Sequence, residues 1–336
     1  MRAAIIDDNG VVSVGTVAAP TVDADQVLVR VRTVGVNHLD LNAMRGAGPG
    51  TAGLRRTFGI DPSGDIVDQG PLVGGDRVGQ RVVVKPAISC GDCAHCRSHN
   101  EADCPNQQIL GIHRDGGAAE YVVVPSRNAL EIPPSLDYAD ATVAVHSIPI
   151  ALHALEAGGR VDSGDRVLVT GASGAVGRAV AQIAISRGAR VVVAALRQPR
   201  VAGAVDHVTF ADPEHLGDQL SAKHPEGFDL FVDATGHGHV IAAGVGALSW
   251  GGRAVILSAS ASPDLPLDAR LFYMRRLTLF GVGAATYEEV ERGLAMVAAG
   301  TVDAAVGERF DLEHIAEAIE HFRAGPHPGK TVVNVH

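Results

Sequence analysis

The stretch "VLVTGASGAVGRAVAQIA", Val167–Ala184, decides the fold. Its apolar opening has strand length and stops at a turn carrying Gly171, Gly174 and Gly177. An amphipathic run follows at once, and a second apolar segment, "ARVVVAAL" (Ala189–Leu196), comes next. Strand, glycine turn, helix and strand in that order are the opening of a parallel α/β unit. From Ala172 the spacing is A-x-G-x-x-G. Gly174 lets backbone approach a pyrophosphate, Gly177 lets helix and strand pack closely, and the helix N-terminus faces the phosphates. The expected cofactor contacts in the turn are Ala172, Ser173, Gly174, Ala175, Val176 and Gly177. A ligand-free tight turn is the plainer reading, but the complete surrounding unit favours a dinucleotide.

The end of the second strand reports on which dinucleotide. Units of this kind that bind NAD usually place Asp or Glu there for the ribose hydroxyls. Here the expected position is Ala195, with Arg197 and Arg200 just beyond. Without a carboxylate nothing repels a 2′-phosphate, and a guanidinium binds one in bidentate fashion. NADPH is therefore expected over NADH.

Downstream, "FDLFVDATG" (Phe228–Gly236), "GGRAVILSAS" (Gly251–Ser260) and "RLTLFGVG" (Arg276–Gly283) are further buried-type strands between helical stretches. Such alternation predicts a parallel sheet covered on both faces. Upstream, "AAIID", "VLVRVRTVGVN", "SGDIVD", "GQRVVVK" and "AEYVVVP" alternate Val with polar residues. They read as half-buried antiparallel strands. "EIPPSLDYADATVAV" (Glu131–Val145) reads as a linker entering a helix with Ser135 as N-cap. The end of the chain predicts two amphipathic helices, within 286–300 and 311–325, and a last strand, "KTVVNVH".

The 336 residues are 46% hydrophobic and 20% charged, with a formal charge of −10. That balance is ordinary for a globular protein of two domains. The acidic surface argues against nucleic acid or an anionic membrane as partner. No apolar run approaches the ~20 residues of a membrane span, and "MRAAIIDDNG" has no signal-peptide layout. A reducing, cytoplasmic setting is the expectation, where structural disulfides are rare.

All four cysteines, Cys90, Cys93, Cys96 and Cys104, lie in "SCGDCAHCRSHNEADC" (Ser89–Cys104). Four thiolates close a tetrahedral shell around Zn²⁺ and leave no open position, so such a site is structural. The intervening residues are polar and give this lobe no core of its own, so a metal takes that place. One zinc per chain is expected, with His95 and His99 solvated. Paired disulfides or unconnected thiols are the alternatives.

The order of motifs resembles the medium-chain dehydrogenase/reductase superfamily over essentially the whole chain: strand-rich start, four-cysteine lobe, "VLVTGASGAVG", "FDLFVDATG", "GGRAVIL", "RRLTLFGV" and a closing "GKTVVNV". The resemblance implies an α/β protein: a GroES-like antiparallel β-barrel catalytic domain (1–146 and 283–336, lobe 89–105) and a Rossmann doubly wound domain (147–282). It also implies Thr235, Ser258 and Val282 as further cofactor contacts, and a homodimer or homotetramer. The zinc-type members carry Cys-His-Thr/Ser-Asp where this chain has Asn37, His38, Leu39 and Asp40, and Gly-His-Glu where it has Gly59, Ile60 and Asp61. Their third ligand falls at His146. The resemblance is thus closer to the quinone oxidoreductase and enoyl reductase branches, with the lobe kept and the catalytic zinc ligands lost. The tyrosine often following Arg-x-Gly in quinone reductases is absent after Arg45 and Gly46.

Without a Lewis acid an alkoxide is hard to form near neutral pH. An enolate is a weaker base, and oriented hydrogen-bond donors suffice for it. The expected substrate is therefore a small electrophile: an activated C=C, a quinone or an iminium carbon. Asn37 and His146 are candidate donors to a carbonyl oxygen. His38 or Asp40 is the candidate to carry a proton or orient the nicotinamide ribose. Two alternatives stand beside this: an alcohol dehydrogenase or carbonyl reductase using a weak metal between His38, Asp61 and His146, and a non-catalytic NADPH-binding protein. Pocket shape rests on 44–53 and 284–287, which carry no readable code.

Overall fold

The computed structural model describes residues 1–46, 55–196, 201–259, 261–262, 264–325 and 329–336. They form two compact units. One is Met1–His146 with Thr286–Ala299 and Ala304–His336; the other is Ser147–Ala285 with Gly300–Asp303.

In the first unit the alternation of "QVLVRVRTVG" puts Val27, Val29 and Val31 into the core of the strand Gln26–Gly35. This strand is the hub of the larger sheet. It pairs antiparallel with Ser63–Gln69, Tyr121–Pro125 and the last strand, Lys330–Asn334. Arg81–Val84 and Ala129–Glu131 extend the sheet on one side. Val306–Asp311 extends it on the other, in a parallel pairing. A smaller sheet holds Val12–Thr16, Arg2–Ile6 and Arg56–Thr57. Phe58, Ile66 and Leu110 fill the core with the inward valines. The register sets Val332 opposite Gly35, and the Val36 amide donates to the Thr331 carbonyl at 3.0 Å. Chain end and chain start therefore meet at 35–37, where the first short helix, His38–Met44, begins.

The linker helix is Tyr138–His153. Its start departs from the expectation of Ser135 as cap. Asp137 and Asp140 cap each other: the Asp140 amide donates to Asp137 Oδ1 at 2.7 Å, and the Asp137 amide to Asp140 Oδ2 at 3.3 Å. The Leu136 amide closes a turn onto the Pro133 carbonyl, which keeps Ser135 upstream of the helix.

The second unit holds six parallel strands in the order Asp206–Thr209, Arg190–Ala195, Arg166–Thr170, Phe228–Asp233, Leu248–Ile256, Thr278–Gly281. Counted along the chain this is 3-2-1-4-5-6, the dinucleotide-binding order, with its reversal between Arg166–Thr170 and Phe228–Asp233. Val167, Leu168, Val169, Leu230, Phe231 and Val232 are all 0% exposed. Burying each stabilises the unit by about 1.5–3 kcal/mol. No helix among the described residues is long and apolar enough to cross a membrane.

Candidate active site and metal lobe

The four cysteine sulfurs lie within 4.8 Å of one another. Zn–S bonds of ~2.3 Å set at tetrahedral angles give edges of about 3.8 Å. The Cys93–Cys96, Cys90–Cys104 and Cys90–Cys96 sulfurs are 3.5, 3.6 and 3.9 Å apart. A disulfide needs about 2.05 Å. The set fits a zinc ion, which when bound would brace a lobe whose only buried cysteine is Cys104. Backbone amides already turn toward the sulfurs: Cys96 N–H to Cys93 Sγ at 3.5 Å, and Cys90 N–H to Cys104 Sγ at 3.4 Å. His95 and His99 are exposed. The lobe is tied down by Glu101, which accepts from the Tyr287 amide, and by Arg127, which donates to the Ser89 carbonyl. Lys85 lies over the Tyr287 ring at 4.7 Å. Burial pushes its pKa down to about 8, against the pull of Glu101 and Glu289.

The glycine turn sorts its three residues by what surrounds them. Gly171 has φ +73° and caps the strand. A Cβ on Gly177 would stand 2.5 Å from the Gly171 carbonyl oxygen, so that glycine serves the packing of strand on helix. A Cβ on Gly174 would meet only the Gly171 oxygen, at 3.4 Å. Nothing in the protein demands glycine there. The open cradle at the N-cap of the helix Ala175–Ser186 fits the backbone approach of a pyrophosphate. Ala172 is buried, Val176 half-buried, and Ser173 and Ala175 are exposed. At the strand ends across the reversal, Asp233 is fully buried and accepts from Thr170 at 2.6 Å, Thr235 at 2.7 Å and the Gly236 amide at 2.8 Å. Thr235 and Ser258 are half-buried, and the buried Val282 donates its amide to the Ile256 carbonyl. Ala195 ends its strand at 3% exposure and is followed by the exposed Leu196, so no carboxylate stands there. Arg197 and Arg200 lie outside the described residues, as does 47–53 of the expected pocket rim.

In the first unit a buried polar cluster gathers where chain start and chain end meet. Asp61 is 0% exposed. Its Oδ1 accepts from the Gly35 amide at 2.9 Å, and its Oδ2 accepts from Asn37 Nδ2 at 3.1 Å and from the Lys330 ammonium. Asn37 Nδ2 also donates to Asp40 Oδ2 at 3.0 Å, and the Asn37 amide donates to the same oxygen at 2.9 Å. Lys330 Nζ reaches the Thr142 carbonyl at 3.5 Å. Burial, then the Asp61 charge, raises the Asp40 pKa to about 7 against two hydrogen bonds from Asn37. His146 is partly buried. Desolvation, then the Lys330 charge, lowers its pKa to about 4, with Asp61 pulling the other way. It is a neutral imidazole near pH 7.

This geometry changes several expectations. Asn37 is not a donor to a substrate oxygen, because both hydrogens of its amide nitrogen are engaged by Asp40 and Asp61. Asp40 is not poised for solvent or substrate: it is 2% exposed and caps the Asn37 turn. His38 is exposed and sets its ring edge-on to Phe322 at 4.8 Å; desolvation there, then Arg45, holds its pKa below the usual histidine value. Ile60 is 0% exposed in an apolar cluster with Ala43 and Ile112. Among the described residues the four cysteines form the one cluster of metal-type ligands, so His38, Asp61 and His146 do not assemble into one. His146 lies within reach of the charges of Lys330 and Asp61 and stays neutral near pH 7. Lys330 is the residue that sequence reasoning missed. The available signal was a lysine opening an apolar strand, which needs an acid partner once buried.

Residues 23–134 match the family profile of the alcohol dehydrogenase GroES-like domain, and residues 201–333 that of the zinc-binding dehydrogenases. The chain is 29% identical over 304 residues to L-galactonate-5-dehydrogenase of Escherichia coli K12, covering 88% of this chain and 87% of that protein. A crystal structure of an NAD-dependent alcohol dehydrogenase matches with a TM-score of 0.91 and 31% identity, over 100% of both chains. The chain belongs to the medium-chain dehydrogenase/reductase superfamily. As a member it is an oxidoreductase, and the superfamily brings with it a nicotinamide cofactor and zinc. A zinc-binding dehydrogenase of Sinorhizobium meliloti 1021, solved with NADP bound, matches at a TM-score of 0.86 and 26% identity, over 99% and 98% of the two chains.

Proposed function

We propose that this oxidoreductase is an NADPH-dependent reductase that acts on an already electrophilic small molecule, an activated C=C, quinone or iminium, with one structural zinc and no catalytic one. The observation that carries this reading is the state of the ligand positions. Asn37 is committed to two carboxylates, Ile60 is apolar and buried, and Asp61 is held by an internal ammonium. A cation beside Asp61 repels a second one, and an amide donating to carboxylates offers no nitrogen lone pair to a metal.

The cofactor, when bound at the glycine turn, supplies the hydride. The protein residues have simpler tasks. The turn around Gly174 accepts the pyrophosphate, and the absence of a carboxylate after Ala195, with Arg197 and Arg200 following in sequence, favours a 2′-phosphate. Neutral His146 offers one N–H to an oxygen on which enolate charge develops, a weaker demand than stabilising an alkoxide. Self-association through the strand Thr278–Gly281 is supported by its place at the end of the sheet among the described residues, after a helix with Tyr273 and Met274 exposed.

The test is a screen of NADPH and NADH oxidation against enones, quinones, imines and ketones, with metal counted per chain. The reading expects one zinc, NADPH preference and turnover of an activated acceptor that survives mild chelation. The dehydrogenase names among its relatives favour a second reading, an alcohol dehydrogenase. Two zincs per chain with oxidation of a simple alcohol would establish that one instead.

A further inference from the structure

At the amino ends of its parallel strands, away from the glycine turn, the second unit holds a cleft of about 280 Å³. Small-molecule sites usually measure about 300–1,000 Å³, so this one has room for a small metabolite and too little for a dinucleotide. Its floor is apolar: Val192 and Phe228 are buried, and Val205 at the edge leaves 57% of its surface exposed. Several charges around it are already engaged. Arg166 donates to both carboxylate oxygens of Asp229, at 3.2 and 3.3 Å, and to the Glu226 carbonyl at 2.8 Å. His224 Nε2 meets Asp206 Oδ2 at 3.1 Å, and its ring packs on Phe228 with centroids 5.3 Å apart. These contacts fix the walls before any ligand arrives.

Two lining charges stand apart from this network. Among the described residues, the Arg190 guanidinium and the Glu226 carboxylate have no hydrogen-bond or ion-pair partner. Arg190 opens the strand Arg190–Ala195, and Glu226 lies just before the strand Phe228–Asp233. The strand Arg166–Thr170 runs between them, so the two flanking strands are two spacings apart, about 10 Å. A cation and an anion thus flank one apolar floor without closing onto each other.

We propose that this cleft binds a small zwitterion, an α-amino acid with a short apolar side chain. Its carboxylate sits on Arg190, its ammonium on Glu226 and its side chain on Val192, Val205 and Phe228. A guanidinium takes a carboxylate in bidentate fashion, and a ligand with a single charge engages only half of the set. The site is separate from the cofactor turn, because the strand Arg166–Thr170 begins at the cleft and ends one residue before Gly171. A ligand here therefore does not displace a dinucleotide there, and the inference is independent of which acceptor the enzyme reduces.

The experiment uses the full chain with L-leucine as probe, followed through the backbone amide resonances of Val205, Asp206 and Gly227. Leucine is expected to shift them saturably, with a millimolar or tighter Kd, and to do so equally in saturating NADPH. The carboxylate-only analogue 4-methylpentanoate and the ammonium-only analogue 3-methylbutylamine should each bind about tenfold more weakly. Arg190→Gln should weaken leucine about tenfold while leaving the amine unchanged, and Glu226→Gln should weaken leucine likewise while leaving the carboxylate analogue unchanged. Both side chains are exposed and hold nothing in place, so these variants keep the fold. Val205→Asp should abolish binding of all three probes. Shifts that do not saturate, or leucine binding that neither charge variant weakens, overturn the proposal. Binding of either analogue as tightly as leucine overturns it too, since the cleft would then serve a single charge. Loss of leucine binding in saturating NADPH would put leucine at the cofactor turn and overturn it as well.

Discussion

Replacing Gly174 and Gly177 by alanine, one at a time, separates a glycine kept for a ligand from a glycine kept for packing. At Gly177 the added methyl meets backbone atoms that cannot rotate away: the Gly171 oxygen at 2.5 Å, its carbonyl carbon at 2.7 Å and the Ala172 nitrogen at 3.0 Å. Overpacking of this kind costs about 1–3 kcal/mol. The helix-forming advantage of alanine returns at most about 1 kcal/mol. A net loss of about 1–2 kcal/mol should lower the Tm of the cofactor-free protein by about 2–8 °C. At Gly174 the backbone has φ −90° and the methyl meets one atom at 3.4 Å, so neither strain nor clash arises. Only the poorer N-cap remains, about 0.5–1 kcal/mol. The methyl instead enters the cradle. Losing about 1–3 kcal/mol of cofactor contact there raises the Kd for NADPH by about 5–150-fold. The assay is a fluorescence titration with NADPH beside thermal melts of the free protein. A Gly174→Ala protein that binds NADPH as tightly as wild type would refute the placement of the pyrophosphate at this turn.

Chelation or Cys96→Ser should release one zinc per chain and loosen the lobe first, seen as rapid amide exchange in 89–105; release of none would mean the sulfurs bind no metal. Asp40 gives a signed pH dependence. Its folded pKa of about 7 stands above its ordinary 3.8, so the stability it contributes is present below about pH 4 and is lost as pH rises through 7. Asp40→Asn should flatten the fall of Tm between about pH 4 and 7, and an unchanged slope would put the titration elsewhere. His146 has the opposite sign. Its folded pKa of about 4 lies below its ordinary 6.5, so stability is full above pH 6.5 and falls as pH drops toward 4. Its imidazole should remain neutral at pH 5.5 in an NMR titration, and a charged ring there would remove it as a neutral donor.

Local patterns carried most of the fold. The glycine turn, flanked by apolar runs, announced a parallel nucleotide-binding sheet because every residue involved lies within one short stretch, Val167–Ala195. The cysteine lobe was legible for the same reason: a tetrahedral shell of four thiolates can be supplied by one loop, and the spacing states it. The cap at Asp137 in place of Ser135 shows the limit even of local reading, since two acids close enough to cap each other outcompete a serine upstream.

The candidate reaction centre was legible only as a set of departures from the pattern the resemblance implies. Sequence said that Asn37 and Ile60 stand where metal ligands are expected, but it could not say what they do instead. That answer needed the pairing of Gln26–Gly35 with Lys330–Asn334, which brings Lys330 onto Asp61 and locks the Asn37 amide between two carboxylates. Sequence by itself determined the elements, the lobe and the glycine turn, because these depend on neighbours along the chain. Tertiary structure alone decided which polar groups are spent on one another and which remain for chemistry, because burial and charge pairing depend on neighbours in space.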